Sequence, residues 1–193
     1  MLERSRPSRA AGPHLQVALA GNPNVGKSSL FNHLTGSRQH VANWPGKTVE
    51  RHAGTVRIGA LEVELVDLPG TYSLAGSSPE EQIAEQALLD PGLDAVVVVL
   101  DSTNLERNLY LAAQIAELGR PMVVALNMTD SAAREGFVVD DAVLSAALAA
   151  PVVRTVARSG TGMDELRSVL AELATEAAAR QPSAPTSTVE EER

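Results

Sequence analysis

The chain has 193 residues, 44% of them hydrophobic but only 3% aromatic, so it can build one domain-sized core from Val, Leu and Ala. It contains no cysteine, which excludes disulfides, zinc–thiolate sites and iron–sulfur clusters held by this chain and fits a reducing compartment. A net charge of −8 argues against a broad nucleic-acid surface.

Residues 1–13 carry Arg4, Arg6 and Arg9 and are broken by Pro7 and Pro13. No apolar segment follows, so they do not read as a secretory signal, and a disordered N-terminus is expected. Residues 181–193 are rich in Pro, Ser and Thr and end in Glu190, Glu191, Glu192 and Arg193, the composition of a disordered tail. The folded body is expected over 14–180. No run approaches the roughly 20 apolar residues of a membrane span. No internal repeat is visible.

Mostly apolar runs at 15–20, 95–100, 122–126 and 151–156, interrupted only by Gln16 in the first and by Arg154 and Thr155 in the last, suit parallel strands buried on both faces. Residues 61–66 alternate instead, as a strand with one wetter face does, and 49–58 is its expected hairpin partner. Helical patterns fall at 29–34, 104–118, 140–150 and 163–179; Leu111, Ile115 and Leu118 share one face, and Gly119 and Pro121 end that helix. This alternation predicts an α/β domain, a doubly wound and mostly parallel sheet with one antiparallel hairpin strand.

The first apolar run leads into Gly21, Asn22, Pro23, Asn24, Val25, Gly26, Lys27 and Ser28, and Ser29 opens the next helical pattern. This is G-x-x-x-x-G-K-S between a strand and a helix, the setting a phosphate loop requires. Glycines let backbone N–H groups curl around an anion, and the helix N-terminus adds positive potential. Lys27 can reach β- and γ-phosphates, and Ser28 can offer a hydroxyl to Mg²⁺. Lys27 and Lys47 are the only lysines in the chain.

Asp67, Leu68, Pro69 and Gly70 close the alternating strand. By itself such a tetrapeptide reads as a turn. After a phosphate loop, Asp67 becomes a candidate Mg²⁺ residue, and Gly70, lacking a Cβ, can bring its N–H close to a γ-phosphate. Asn127, Met128, Thr129 and Asp130 follow a buried strand. A carboxylate at Asp130 can accept from both N1–H and the exocyclic amine of guanine, a donor pair that adenine lacks. Asn127 would brace the loop, and the unbranched Met128 could cover the base. An N-terminal cap at Thr129 or Asp130 is the structural alternative. Val156, Ala157 and Arg158 precede the final helix, where a backbone N–H can meet guanine O6. Order and spacing of these four segments together indicate guanine-nucleotide binding.

These segments, with Val41-Ala42-Asn43-Trp44-Pro45-Gly46-Lys47-Thr48-Val49-Glu50 and Asp67-Leu68-Pro69-Gly70-Thr71-Tyr72-Ser73-Leu74, resemble the G domain of the bacterial ferrous iron transport protein B family over roughly 15–175. The Asn-Trp-Pro-Gly segment followed by Thr-Val-Glu is the specific part. The resemblance implies a Mg²⁺-dependent P-loop GTPase stimulated by K⁺. Thr48 would be the first-switch threonine closing on Mg²⁺ and the γ-phosphate, beside Ser28 and Asp67. Asp67 and Gly70 would start the second switch. Asn24 would hold K⁺, with carbonyls from 41–47 sharing the ion, so that Asn24, Lys27, Thr48 and Gly70 carry the reaction.

Thr71 stands where Ras-like enzymes carry a water-orienting glutamine, which implies slow intrinsic turnover, on the order of 10⁻³ s⁻¹ or a little faster. Two departures from the family pattern stand beside the first switch: Ala42 replaces the usual glycine, and Lys47 replaces a small apolar residue. Trp44 is expected near that switch rather than in the core. His14, His33, His40 and His52 lack metal-ligand spacing and read as solvated loop residues, so no direct iron site is expected.

The implied function is a GTP-hydrolysing module of ferrous iron uptake. It would act on a separate membrane permease from the cytoplasmic face, as a cut-out domain or a separate subunit. The alternative is a free-standing soluble switch such as a ribosome-assembly factor, against which the acidic balance counts.

Overall fold

The computed structural model describes residues 14–36, 38–59 and 61–180; the two expected disordered termini, 1–13 and 181–193, lie outside the described residues. Seven strands form one sheet in the order β2-β3-β4-β1-β5-β6-β7. In chain order they are β1 (His14–Gly21), β2 (Gln39–Asn43), β3 (Glu50–Ile58), β4 (Leu61–Asp67), β5 (Ala95–Asp101), β6 (Met122–Asn127) and β7 (Val152–Arg154). The helices are α1 (Lys27–Thr35), α2 (Pro79–Leu89), α3 (Leu105–Glu117), α4 (Thr129–Glu135), α5 (Asp141–Leu148) and α6 (Met163–Arg180).

β1 pairs in parallel with both β4 and β5, and β5, β6 and β7 continue in parallel. β3 is antiparallel to both of its neighbours, so it is the one reversed strand of the described sheet. The doubly wound sheet with one antiparallel strand therefore stands as expected. Strand order reverses direction at β1, and such a sheet binds ligands beyond the C-terminal ends of its strands at that switch point. β1 runs directly into the phosphate-loop sequence at Gly21.

The apolar runs make this sheet because both of its faces are covered. Val97 and Val99 of β5 face one cluster with Leu19, Leu30, Phe31 and Leu166. Val96, Val98 and Leu100 face the other, with Leu88, Leu111, Ile115 and Leu126. Leu19, Leu30, Leu88 and Leu126 are all 0% exposed, and burying each contributes about 1.5–3 kcal/mol. Leu118, expected on the same face as Leu111 and Ile115, is only partly buried.

Four elements differ from the sequence reading. Residues 41–43, for which no strand was expected, belong to β2, an edge strand all five of whose residues are exposed. Backbone pairing with β3 rather than burial makes it a strand, so no hydrophobic alternation marks it. His40 and His52 accordingly sit in paired strands, not loops. The 151–156 run yields only a three-residue strand, because Val156 instead bridges Thr161 across the following loop. The cap of α4 is neither Thr129 nor Asp130 but Met128, at φ 61 and with no side-chain cap. α2, not expected, starts on the Ser78 hydroxyl, which accepts from the Glu81 N–H, with Pro79 in the first turn.

Candidate functional site

The phosphate-loop residues hang between β1 and α1. Gly21, Asn24 and Gly26 have φ of 156°, 66° and 91°. Asparagine tolerates the left-handed region better than other side-chain-bearing residues, so Asn24 suits its place. Asn24 and Ser28 are exposed, whereas Lys27 is 9% exposed. Burial lowers the Lys27 ammonium's pKa, and the nearby Asp67 carboxylate opposes that shift.

Asp67, at the end of β4, shows the mirror image. Burial pushes its carboxyl up, against the pull of Lys27, His52 and a hydrogen bond from Ser28. The Ser28 hydroxyl donates to Asp67 Oδ2 at 3.4 Å, while Oδ1 is buried with no hydrogen-bond partner. A desolvated carboxylate oxygen with no donor, next to a hydroxyl, is a donor set that fits a hard divalent cation. Gly70 then presses on the loop: a Cβ there would lie 3.0 Å from Pro23 Cα and 3.3 Å from Lys27 Nζ. Thr71 is buried, its N–H directed at Gly21 O over 3.4 Å and its hydroxyl donating to Ser73 O at 2.7 Å.

The other flank of the loop meets Asn127. Its Nδ2 donates to Val25 O at 2.8 Å, and its Oδ1 accepts from Ala157 N–H at 2.9 Å and Thr155 Oγ1 at 3.2 Å. One buried amide thus ties the loops after β1, β6 and β7 together. Beside it opens a cavity of about 280 Å³ lined by Gly26, Ser29, Met128, Asp130, Val156, Ala157 and Arg158. Ser131 and Arg134 also line it and were not foreseen. Arg134 donates from Nε to Asp130 O at 3.2 Å and from Nη2 to Asp130 Oδ2 at 3.4 Å. An acid–base pair four residues apart on a helix was the available signal.

The structure does not bring the segment expected to be the first switch to this site. Among the described residues no hydrogen bond joins 43–48 to the phosphate loop. Thr48 is exposed. Trp44 and Val49 close the hairpin end (Trp44 N–H to Val49 O, 3.0 Å), and Lys47 Nζ donates to Gln82 Oε1 at 3.1 Å. Trp44 packs on the cluster that holds Leu88 and Leu100, with Arg51 over its ring at 5.7 Å. Asn43, Trp44 and Pro45 line a separate cavity of about 340 Å³ together with Gln16, Leu68 and Asp90. The apolar indole draws the hairpin end to that face. Trp44, expected near the switch rather than in the core, is therefore partly a core anchor. Gly46 has φ 70° and open space around it.

Known proteins match this arrangement. The family model described as Ferrous iron transport protein B matches residues 15–170. The Fe(2+) transporter FeoB of Escherichia coli K12 is 48% identical over 157 residues, which are 79% of this chain and 20% of that protein. A Porphyromonas gingivalis Fe(2+) transport protein A/FeoB fusion is 48% identical over 82% of this chain and 19% of its own length. The chain thus spans about a fifth of the curated relatives it matches. The solved G domain of T. maritima FeoB superposes with a TM-score of 0.78 at 44% identity, covering 83% of this chain and 99% of that one. A point mutant of S. thermophilus NFeoB bound to GDP superposes with 0.78 at 46% identity, over 84% of this chain and 64% of that one. By sequence and by fold, this chain belongs to the ferrous iron transport protein B family and corresponds to its G domain.

Proposed function

We propose that this chain binds guanine nucleotides with Mg²⁺ and hydrolyses GTP as a module of ferrous iron uptake. One observation carries the reading. The same phosphate loop is met by Asn127 on the base-cavity side and by Gly70 on the Lys27 side. A ligand with a flat base at one end and a phosphate chain at the other fits that span. Solved relatives described as bound to GDP or in a GMPPNP form support it.

In this reading the N–H groups of Gly21 to Ser28 wrap the phosphates, and Lys27 neutralises the β- and γ-oxygens. The buried ammonium lacks full compensation from Asp67 alone, so an anionic ligand relieves its desolvation. Ser28, Thr48 and Asp67 hold Mg²⁺, and Asn24 with carbonyls of 41–47 holds K⁺. When bound, these cations neutralise charge building on the phosphate oxygens. Gly70 offers its backbone N–H to the γ-phosphate. Thr71, turned inward, leaves no side chain at that point to orient water. Asp130 accepts from guanine N1–H and the exocyclic amine, and Met128 covers the base face; the Val156 and Ala157 N–H groups are bonded to Thr161 O and Asn127 Oδ1, which leaves the N–H of Arg158 to meet O6. For Thr48 to reach the phosphates, 43–48 must leave the position described above, so closure of this segment belongs to the cycle.

Among the described residues no helix is long and apolar enough to cross a membrane. In this reading a membrane permease carries the iron, and this module acts on it from the cytoplasmic face. Titration with GDP and ADP, followed by GTP hydrolysis in KCl and in NaCl, tests the reading. GDP binding without ADP binding and hydrolysis abolished by Lys27→Ala are expected. ADP bound as tightly as GDP would overturn the guanine assignment. Equal rates in the two salts would remove Asn24 from its cation.

A further inference from the structure

Arg107 lies in the first turn of α3, outside every motif discussed so far. A positive charge there opposes the positive end of the helix dipole, so helix stability does not explain it. Among the described residues its guanidinium forms no ion pair. It lies instead over the ring of Tyr72, 4.2 Å from the centroid. That is a close cation–π contact. Tyr72 is 42% exposed, so the stack lies at the surface rather than in the core.

The backbone of the same residue faces the phosphate loop. The carbonyl of Arg107 accepts from Asn22 Nδ2 at 3.3 Å. Asn22 is 2% exposed, and among the described residues this is the one hydrogen bond its side chain makes, since Oδ1 has no partner. Arg107 thus touches the second residue of the phosphate loop through its backbone and the second switch through its side chain. Two more contacts fix the same stretch. The Leu74 N–H donates to Gln114 Oε1 of α3 at 2.9 Å, and the Thr71 N–H points at Gly21 O at 3.4 Å. Residues 71–74 are therefore held by α3 on one side and by the phosphate loop on the other. Gly70 is the next residue back.

We propose that Arg107 is a positioning residue for GTP hydrolysis: by stacking on Tyr72 it clamps the second switch to α3 and so fixes where the Gly70 N–H points. The inference rests on the guanine-nucleotide reading above. Where a γ-phosphate is present, Gly70 must hold its angle; where it is absent, as with GDP, the clamp has nothing to position. Rigid placement of a donor matters most where charge develops in the transition state.

The test compares the full chain with Arg107→Ala, Tyr72→Ala, Tyr72→Phe and the Arg107→Ala/Tyr72→Ala double variant. Thermal unfolding, GDP affinity, affinity for a non-hydrolysable GTP analogue and GTP turnover are measured for each. Arg107→Ala and Tyr72→Ala are each expected to lower kcat and analogue affinity about three- to tenfold, with GDP affinity changed less than about twofold. Tyr72→Phe keeps the ring and retains wild-type turnover. The double variant is no worse than either single one, because both remove the same contact. Unchanged or raised kcat in Arg107→Ala overturns the proposal, as does an equal loss of GDP and analogue affinity, which would mark Arg107 as a support of the phosphate loop alone. Should Arg107→Ala unfold, the Tyr72→Ala and Tyr72→Phe pair decides: equal turnover in both overturns it. A wild-type chain that binds no guanine nucleotide rejects the underlying reading, whereas one that hydrolyses GTP with Arg107→Ala unaffected rejects only the clamp.

Discussion

Asn127 and Ala157, thirty residues apart, meet through one hydrogen bond of 2.9 Å from the Ala157 N–H to the Asn127 side-chain oxygen. The nitrogen of the same amide reaches Val25 O in the phosphate loop at 2.8 Å. An amide has both a donor and an acceptor on one rigid plane. An ionised carboxylate of that size only accepts, so it could not serve the Val25 carbonyl and the Ala157 N–H together. The wall of the cavity proposed for the base and the loop proposed to cradle the phosphates are therefore set against each other by a single side chain.

Asn127→Ala should damage both stability and binding. Asn127 is 2% exposed, and each buried group that loses its partner costs about 1–3 kcal/mol. Val25 O, Ala157 N–H and the Thr155 hydroxyl all lose theirs. Urea unfolding should show a loss of roughly that size or more, and GDP titration a weaker complex. Asn127→Asp retains the acceptor but sets a carboxylate against Val25 O, so it should bind GDP worse than wild type while losing less stability than Asn127→Ala. A stable Asn127→Ala with unchanged GDP affinity would show that the three loops hold their places without it.

Gly26 is constrained twice over. Its φ of 91° lies where residues with a Cβ are strained, and a Cβ would stand 2.3 Å from Asn127 Nδ2. Gly26→Ala must therefore push Asn127 off the Val25 carbonyl. The expected outcome is loss of nucleotide binding by more than about tenfold, with the far-UV circular dichroism of the sheet and helices retained. Gly36→Ala is the control: its φ is also positive, but its Cβ would meet nothing within 4 Å. A backbone cost at Gly36 with normal nucleotide affinity separates strain from collision.

Much of this was legible in the sequence, and the reasons differ by element. β5 and β6 announce themselves because both faces are buried, so every residue of 95–100 and 122–126 is apolar. The loop between β1 and α1 is legible because its glycines and Lys27 fall at the fixed spacing expected of an anion-binding turn. β2 is not legible: an exposed edge strand is made by its neighbour's backbone, and nothing in Gln39, His40 or Val41 records that neighbour. α2 was legible in part, since Ser78, Pro79 and Glu81 form a start signal, but its apolar face of Ile83, Ala84 and Leu88 is narrow. The position of 43–48 was not legible, because an indole suits both a switch and a core. Arg107 lies outside every motif, and Tyr72, though inside the 67–74 segment, carries no sign of its partner. Their meeting depends on how the 71–74 loop lies across α3, which local sequence does not determine.

Glu81 should make the start of α2 acid-sensitive. Its carboxylate accepts from the Ser73 hydroxyl at 2.8 Å and the Ser77 N–H at 2.8 Å. These bonds, that of the Ser73 side chain first, lower its pKa below the ordinary 4.5. A depressed carboxyl pKa stabilises the folded form above the unfolded value, and that contribution is lost as pH falls through the folded value. The order of 73–81 should thus be constant at neutral pH and decline only below about pH 4.5, in the acid range of glutamate. Amide chemical shifts of Ser77 and Glu81 followed from pH 7 to pH 3 report it directly. Glu81→Gln should remove the acid step from the Ser77 shift. A Ser77 titration that persists in Glu81→Gln would assign it to another carboxylate.

Thr71→Gln should not convert this chain into a faster enzyme. In the proposed cycle, position 71 follows the γ-phosphate donor Gly70, the place where a glutamine could orient water. Here the residue is 5% exposed, and its hydroxyl donates to Ser73 O while accepting from the Ser73 N–H. A glutamine is two heavy atoms longer and cannot fit that inward pocket without displacing the loop. Turning it outward instead would leave the Ser73 N–H without the partner it has in Thr71, at a cost of about 1 kcal/mol. It would also disturb the Tyr72 ring on Arg107. GTP turnover of Thr71→Gln is therefore expected to fall severalfold, whereas Thr71→Ser, which keeps both hydrogen bonds, should stay near wild type. A rise in kcat for Thr71→Gln under single-turnover conditions would show that the loop can present a side chain to water, and that the inward fold of Thr71 is not what limits the rate.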